Sequence, residues 1–375
     1  MKKILLTDCC ELVMGQSPVS SSYNTEKRGL PFYQGNADFG KINPITRCWC
    51  DKPIKIAYKD DILISVRAPI GAINIASEEC CIGRGLAAVR ALKGKCLYEF
   101  LYYALQSNTE ELKSQGTGST FKAISKQILA NSELPDITLE EQHRIVNRLL
   151  KVDTLIENAN EQLRLFDQLV KSRFLELFGD LKLNDKKWEV KFFKDLTLLI
   201  TDGEHSTPRR TDNGIYLLSA RNVLNHSLQL NDIDYIDEVE YERISKRIQP
   251  MIGDVLLSCS GSVGRCCAIT KDIKFQMVRS VALLRFKAEI NPVFAEYMIV
   301  SDYLQEQINS NKTASSQSNL FQGKIKMLKG VIPPLDLQNQ FADFVEEVNK
   351  SKLEVQKSLE ELETLKKSLM QQYFG

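Results

Sequence analysis

Two long segments of the chain carry apolar residues at steps that alternate between three and four positions. Residues 137–180 place Leu149, Val152, Ile156, Leu163 and Phe166 on one such stripe. Residues 335–375 place Val345, Val348, Leu359, Leu362 and Leu369 on another, in the same heptad phase. This spacing is typical of the a/d seam of a coiled coil. Each segment therefore predicts one helix, ~50 to 60 Å long at about 1.5 Å per residue.

Neither stripe can be buried along its full length by a small neighbouring domain, so the sequence predicts that the two helices pair with each other. Antiparallel pairing would place a domain at either end of an intramolecular rod. Lys352 and Lys366 interrupt the second seam, and such polar residues cost stability but fix register. The alternative is that each stripe packs on another protein or on a second copy of the chain.

The segments before each helix predict mixed α/β domains. Short apolar runs bounded by Gly, Pro and Asp predict strands, and a 3.6-residue periodicity predicts one helix after them. In the first domain the strands are 62–66, 70–75 and 86–89 and the helix is 97–105. In the second domain the strands are 254–258, 266–270 and 281–286 and the helix is 293–308.

The two halves are copies of one plan. Lys171-Ser172 before Phe178-Gly179 recurs as Lys367-Ser368 before Phe374-Gly375, at an offset of 196 residues. An offset of this size exceeds that of a solenoid repeat and indicates two whole modules. Four further matches keep the same order: 61–65 with 254–258, Gly71 with Gly264, 84–90 with 279–285, and the pair Pro135 and Gln142 with Pro333 and Gln340.

These patterns together predict an α+β fold, with two similar mixed α/β domains joined by two long helices in an antiparallel intramolecular coiled coil. The predicted boundaries are 1–136 for the first domain, 137–180 for the first helix, 181–334 for the second domain and 335–375 for the second helix.

The amino-acid composition limits the classes of protein to which the chain can belong. The chain has 43% hydrophobic residues, enough to fill two cores. It has no run of 18 apolar residues and no signal-peptide pattern, so we expect a soluble, cytoplasmic protein without membrane contact. The formal net charge is only +1, whereas a protein that holds nucleic acid alone usually has a basic excess. Any DNA-binding role would therefore require other subunits to neutralise much of the phosphate charge.

Metal and catalytic motifs are absent from the sequence. The ten cysteines include no C-x-x-C pair, and the three histidines do not have metal-ligand spacing. Cys48-Trp49-Cys50 is the nearest thing to a clustered metal site, but small buried thiols are common in cores. We expect reduced cysteines, no metal, no cofactor bound by this chain and no catalytic residue. Gly116-Thr117-Gly118 lacks the third glycine of a phosphate loop, and Asn291-Pro292-Val293 lacks the second proline of an amino-methyltransferase motif.

The full chain resembles the specificity subunit of type I restriction-modification systems. The resemblance rests on the duplication and on motifs that occur in the family's order. The chain departs from the family pattern at Gln338-Asn339-Gln340, where an acidic residue commonly precedes the glutamine. The motifs are 13–18 (VMGQSP), 139–142 (LEEQ), 188–190 (WEV), 202–208 (DGEHSTP), 253–256 (GDVL) and the two Phe-Gly ends.

The resemblance implies two target recognition domains, each reading one half of a bipartite sequence in double-stranded DNA. It also implies two methyltransferase subunits, which use S-adenosylmethionine to methylate adenine N6, and an optional pair of motor-endonuclease subunits. Polar glycine loops with arginines suit contact with phosphates or base edges. We therefore predict DNA contacts from Arg67, Thr117, Ser119 and Lys122 in the first domain and from Arg209, Arg210, Ser260, Ser262, Arg265 and Ser316 in the second.

Two other functions stay open at this point. The chain could be the recognition part of a fused methyltransferase or nuclease, although the missing cofactor motifs argue against an enzyme. It could also be a coiled-coil scaffold that binds only protein.

Overall fold

The computed structural model describes residues 2–117, 122–312 and 318–375. The chain divides into two compact units that do not coincide with the two halves of the sequence. Unit 1 consists of residues 1–161 together with 356–375, and unit 2 consists of residues 162–355.

Unit 1 is built from short strands, four short helices and parts of both long helices. Its strands are β1 (Lys3–Leu5), β2 (Cys10–Met14), β3 (Tyr23–Asn24), β4 (Leu30–Tyr33), β5 (Trp49–Cys50), β6 (Ile56–Ala57), β7 (Ile62–Ser65), β8 (Ile73–Ile75), β9 (Cys80–Ile82), β10 (Leu86–Ala91) and β11 (Glu133–Pro135). Its helices are α1 (Leu6–Cys9), α2 (Tyr98–Ser107), α3 (Thr109–Ser114), α4 (Lys126–Ala130) and the first part of α5 (Leu139–Phe178).

The central sheet of unit 1 is antiparallel, with strand order β2-β10-β7-β8. Strand β7 is buried on both faces, which explains why its sequence reads as a continuous apolar run rather than an alternation. Asp61, which precedes β7, accepts two hydrogen bonds from Arg90 of β10 at 3.0 and 2.8 Å. This bidentate pair joins the two central strands at the edge of the core.

Unit 2 repeats this plan. Its strands are β12 (Glu189–Phe192), β13 (Thr197–Asp202), β14 (Ile215–Leu218), β15 (Val223–Leu224), β16 (Ser227–Leu228), β17 (Asp234–Ile236), β18 (Asp254–Ser258), β19 (Cys266–Ala268), β20 (Phe275–Met277), β21 (Val281–Phe286) and β22 (Lys329–Ile332). Besides the end of α5, its helices are α6 (Phe193–Leu196), α7 (Glu238–Ser245), α8 (Pro292–Val300), α9 (Asp302–Asn311), α10 (Gln322–Ile325) and the first part of α11 (Leu335–Phe374).

The central sheet of unit 2 has the equivalent order β13-β21-β18-β19. Asp254, which is fully buried, accepts hydrogen bonds from Arg285 at 2.7 and 2.8 Å. This is the counterpart of the Asp61–Arg90 pair, so the structure confirms the duplicated mixed α/β plan.

The prediction of a single helix over 293–308 was wrong. The chain forms α8 and α9, with Ser301 between them in extended conformation (ψ 153°). The Ser301 hydroxyl donates to the Met298 carbonyl at 2.6 Å, and this local side-chain bond competes with continuation of the helix. Apolar periodicity continued across the break and therefore could not reveal it.

Helices α5 and α11 run antiparallel within each unit. In unit 1 the Arg148 guanidinium donates to the Tyr373 hydroxyl at 2.9 Å, and Lys366 pairs with Asp153 at 2.6 Å. In unit 2 Lys352 pairs with Asp167. Residues later in α5 thus meet residues earlier in α11, which confirms the predicted antiparallel coil.

All ten predicted seam residues lie buried or half-buried. Fully buried members are Leu149, Val152, Val345 and Val348, with at most 7% exposure. The half-buried members are Ile156, Leu163, Phe166, Leu359, Leu362 and Leu369.

One buried glutamine in each unit joins the start of a long helix to the segment before a short helix. The Gln142 amide accepts from Leu97 N–H at 2.9 Å and donates to the Lys95 carbonyl at 3.1 Å. Gln338 accepts from Asn291 N–H at 2.8 Å and donates to the Glu289 carbonyl at 3.1 Å. The structural counterpart of Gln142 is therefore Gln338. The sequence match to Gln340 was wrong, because the second copy has five residues from Pro333 to Gln338 where the first has seven from Pro135 to Gln142.

Replacing Gln338 by Ala should leave the Asn291 N–H and two carbonyls without partners, since Gln338 also donates to Pro333 O at 2.8 Å. We expect a loss of about 2 to 4 kcal/mol in the free energy of unfolding, measured by urea denaturation. Gln340→Ala is the matched control, because Gln340 is exposed two residues further along the same helix, and it should change stability by less than about 0.5 kcal/mol. Equal effects of both substitutions would contradict this assignment.

Candidate nucleic-acid interface

In each unit a loop that begins with a glycine follows the first strand of the central sheet, which is β2 in unit 1 and β13 in unit 2. The backbone of this loop donates hydrogen bonds to neighbouring segments of the same unit. In unit 1, Gly15 N–H donates to Leu86 O at 2.9 Å and Gln16 N–H to Ile82 O at 3.0 Å. In unit 2, Gly203 N–H donates to Val281 O at 3.0 Å and Glu204 N–H to Met277 O at 2.8 Å. The motifs at 13–18 and 202–208, which the sequence presented as unrelated, are therefore structural counterparts.

Close backbone packing requires the glycine in both loops. A Cβ on Gly15 would lie 2.2 Å from the Gly83 carbonyl oxygen, and one on Gly203 would lie 2.3 Å from that of Met277. Both contacts are far inside van der Waals distance and involve backbone, which cannot move aside cheaply. The glycine fixes where each loop leaves the sheet.

A second loop follows β7 in unit 1 and β18 in unit 2. Backbone hydrogen bonds join this loop to a later segment of the chain, residues 122–124 in unit 1 and 318–320 in unit 2. Ala68 N–H donates to Lys122 O at 3.2 Å, and Gly261 N–H donates to Ser318 O at 3.3 Å. Closer to the central sheet, the same segments are joined by a second bond in each unit. Ile124 N–H donates to Val66 O and Leu320 N–H donates to Cys259 O, each at 2.9 Å. The alignment of 67–71 with 260–264 therefore corresponds to one shared loop structure.

The structure brings the described unit 1 candidates together. Arg67 and Thr117 both form β-bridges with Ala123, next to Lys122, and all three candidate side chains are exposed. In unit 2, Ser260 bridges Asn319, Ser262 is exposed and Arg265 is half-buried. Ser119 and Ser316 lie outside the described residues.

The loops of unit 2 border an open cavity of about 830 Å³. Its lining is mostly polar and includes Phe321, whose side chain is 63% exposed. Hydroxyl, amide, imidazole and guanidinium groups converge here from separate segments, which gives a surface able to donate to and accept from a polar partner. Two carboxylates also line the cavity, and its polar residues are Asp202, Glu204, His205, Ser206, Thr207, Arg210, Ser260, Arg279, Ser280, Asn319 and Gln322.

Acidic partners neutralise two of the predicted arginines. Arg209 pairs with Asp237, and Arg210 pairs with Asp234 at 3.1 Å. A third arginine of this region, Arg243, donates to Glu240 at 2.9 Å, and this bond lowers the pKa of Glu240. Through these ion pairs Arg209 and Arg210 brace the loop 202–210 rather than present unpaired charge.

Arg84 and Arg279 are a matched pair that the sequence prediction missed. Each stands beside the glycine loop of its unit, since Arg84 N–H donates to the Ser17 hydroxyl at 3.2 Å and Arg279 N–H donates to Glu204 O at 3.0 Å. Both side chains are exposed. Within the described part of the chain, neither guanidinium has a hydrogen-bond or ion-pair partner. The alignment of 84–90 with 279–285 already contained both residues, but charge pairing cannot be read from sequence.

None of the helices in the described ranges is both long and apolar enough to span a lipid bilayer.

Comparisons with known proteins agree with the architecture. The family model described as type I restriction modification DNA specificity domain matches residues 1–165 and again 185–364. A relative from Methanocaldococcus jannaschii, named as the MjaX specificity subunit of a type I restriction enzyme, is 47% identical over 39% of this chain, and the match spans only 35% of that protein. The MjaIX specificity subunit of the same organism is 24% identical over 84% of this chain and 77% of its own length.

A solved structure shares the fold over the whole chain. The type I restriction-modification S subunit of M. genitalium has a TM-score of 0.62, covers 100% of this chain and 96% of its own, and is 17% identical. Since two copies of one family domain cover most of the sequence, the chain belongs to the type I restriction-modification DNA specificity family.

Proposed function

We propose that this chain is the DNA-recognition subunit of a type I complex and that each unit reads one half of a bipartite double-stranded target. The observation that carries this proposal is the recurrence, in both units, of a glycine loop beside an exposed arginine, Arg84 or Arg279, that has no side-chain partner among the described residues. A free guanidinium can donate two hydrogen bonds to guanine or to a phosphate. The two reading surfaces otherwise differ in sequence, which suits two unlike half-sites.

The low net charge of the chain supports a DNA interface that is shared with partner subunits. The net charge is +1, and several arginines beside the cavity of unit 2 are paired with carboxylates. A chain with so little excess charge gains little from counterion release. Affinity in this proposal comes from partner subunits, whereas this chain contributes selectivity.

The proposed partners are two methyltransferase subunits and an optional pair of motor-endonuclease subunits. The methyltransferases would use S-adenosylmethionine, and this chain would bind no cofactor. Five exposed leucines lie along the outer side of α5, and in the proposed complex a methyltransferase subunit covers them. These are Leu150, Leu155, Leu165, Leu169 and Leu175, each 45 to 57% exposed.

Mapping of methylated adenines tests the central proposal. The chain and its methyltransferase should be expressed together in a host that lacks adenine methylation, and genomic modification should be mapped by single-molecule sequencing. We expect one two-part motif with a fixed gap. Exchange of residues 181–334 for those of a relative should change one half of the motif and leave the other half intact. Absence of sequence-dependent methylation, with random-sequence DNA also unbound, would favour the protein-binding scaffold instead.

Removal of either matched arginine should weaken reading of one half-site. Arg279→Ala and Arg84→Ala should each reduce affinity of the assembled complex for its target by about 10- to 100-fold, which corresponds to about 1 to 3 kcal/mol. Binding should be measured by fluorescence anisotropy on the intact target and on targets with one half scrambled. Each variant should lose discrimination at one half and keep it at the other.

Arg210→Ala provides the comparison, because this arginine borders the same cavity but is paired with Asp234. We expect a smaller loss of affinity than with Arg279→Ala. A larger loss would return Arg209 and Arg210 to the reading surface and remove Arg279 from it.

The two long helices are proposed to set the gap between the half-sites. Insertion of one heptad after Glu161 and another after Lys357 keeps the seam phase and the antiparallel register. Seven residues add ~10 Å of helix, equivalent to about three base pairs at ~3.4 Å each. The methylated motif should therefore gain about three base pairs in its gap while both halves stay the same. An unchanged gap in an active double insertion would mean that the helices do not measure the distance.

A further inference from the structure

Three cysteines from two separate segments of unit 1 meet in its core. Cys9 ends α1, Cys10 begins β2, and Cys96 lies in the turn before α2. The three sulphur atoms all lie within 4.8 Å of one another, and the Cys9 and Cys10 sulphurs are 3.7 Å apart. The spacing of cysteines in the sequence did not predict this cluster, because Cys96 lies far from Cys9 and Cys10 along the chain.

Backbone hydrogen bonds hold the two segments in fixed register. Leu92 N–H donates to Cys9 O at 2.9 Å, and Cys96 N–H donates back to Leu92 O at 3.1 Å. The Gln142 amide binds the residues on both sides of Cys96, namely Lys95 O and Leu97 N–H. The three sulphurs are thus preorganised by groups outside the cluster.

The Cys9 and Cys10 sulphurs, 3.7 Å apart, have the separation of two thiolate ligands around one metal ion, and the Cys96 sulphur lies within 4.8 Å of both. Zinc–sulphur bonds of about 2.3 Å in tetrahedral geometry place neighbouring sulphurs ~3.8 Å apart. A cavity of about 210 Å³ adjoins the cluster, with Asp8, Cys9, Lys95 and Cys96 in its lining. This space gives a path for an ion and room for a water molecule as a fourth ligand.

A lysine borders the same cavity as the cluster, because Lys95 lines it together with Cys9 and Cys96. Lys95 is held in place because its ammonium donates to Asp8 O at 2.9 Å. A fixed cation beside three thiolates would offset part of the charge that remains after a metal binds.

Unit 2 shows that the fold does not require sulphur at these places. The residue that ends α6 is Leu196, the residue that begins β13 is Thr197, and the residue flanked by the two Gln338 contacts is Ile290. These three are the counterparts of Cys9, Cys10 and Cys96, and they are 0%, 8% and 3% exposed. Leu196 and Ile290 fill two of these positions with aliphatic side chains, and the Thr197 hydroxyl donates to Phe193 O at 2.7 Å at the third. The shared fold therefore does not by itself account for three thiols in unit 1.

We propose that Cys9, Cys10 and Cys96 form a binding site for one thiophilic cation, zinc(II) or copper(I). Thiolate ligands select these ions over hard cations. The ion would fasten the α1–β2 junction to the turn before α2, beside the start of α5.

The test uses the full chain, prepared metal-free and reduced under anaerobic conditions. Zinc(II) and, separately, copper(I) are titrated in competition with a chromophoric chelator, and cobalt(II) is added as a probe of thiolate coordination by its charge-transfer absorption. We expect one equivalent of metal per chain, thiolate-to-cobalt absorption, and a rise in the thermal midpoint on loading. Tighter retention of zinc than of copper, relative to the chelator, would identify zinc as the resident ion, and the reverse would identify copper.

The decisive variant transplants the residues of unit 2 as Cys9→Leu, Cys10→Thr and Cys96→Ile together. It should fold, because the same residues pack at the same places in unit 2, and it should lose the stoichiometric metal. Cys96→Ser provides a second, conservative variant, for which we expect affinity to fall by at least on the order of 100-fold.

Cys80→Ser is the matched control, since Cys80 is equally buried in unit 1 and belongs to another adjacent cysteine pair. It should bind metal like the unmodified chain. The proposal is overturned if the unmodified chain binds no more tightly than the transplanted variant.

Discussion

Antiparallel pairing of the two long helices is the constraint on which the rest of the structure depends. Because the pairing is antiparallel, each unit is completed by the end of the helix that begins in the other unit. Phe374, at the end of α11, packs on Phe100 in unit 1 with ring centroids 5.3 Å apart, and Phe178, at the end of α5, packs on Phe294 in unit 2 at 4.7 Å. The duplicated Phe-Gly ends are thus core contacts rather than tails, and neither core is whole without both copies of the sequence.

This exchange allows the loops that project from the two units to differ in sequence. The framework of each unit is fixed by three buried interactions that recur in both: an aspartate–arginine pair, a bridging glutamine and a phenylalanine supplied by the long helix. Loops that project from this framework contribute little to it and can change with little loss of stability. The chain therefore combines a repeated scaffold with two unlike polar surfaces.

Local patterns in the sequence predicted the elements well and their long-range partners poorly. The heptads gave both helices to within two residues of α5 and α11, and 254–258 matched β18, because periodicity reports directly on burial. Gln338 was mistaken for Gln340, since only the bonds to Glu289 and Asn291 identify the right residue. The three-cysteine cluster escaped notice for the same reason. Its members approach through strand pairing and a turn, and neither is visible in residue spacing.

In the candidate site, too, the sequence did not reveal long-range partners, in this case those of the charged side chains. Sequence alone ranks Arg209 and Arg210 highly because they lie together after a turn-forming loop, yet each has an aspartate partner in the fold. Arg84 and Arg279 stand alone in sequence, but within the described residues their guanidinium groups have no acid to satisfy them. An exposed pair gains only ~1 kcal/mol at most from its partner, but it must be broken before either charge can meet a phosphate. In the proposed reading of DNA, the arginines that can meet a phosphate without breaking an ion pair are those left unpaired within the described residues, and a net charge near zero is compatible with a surface that presents such arginines in both units.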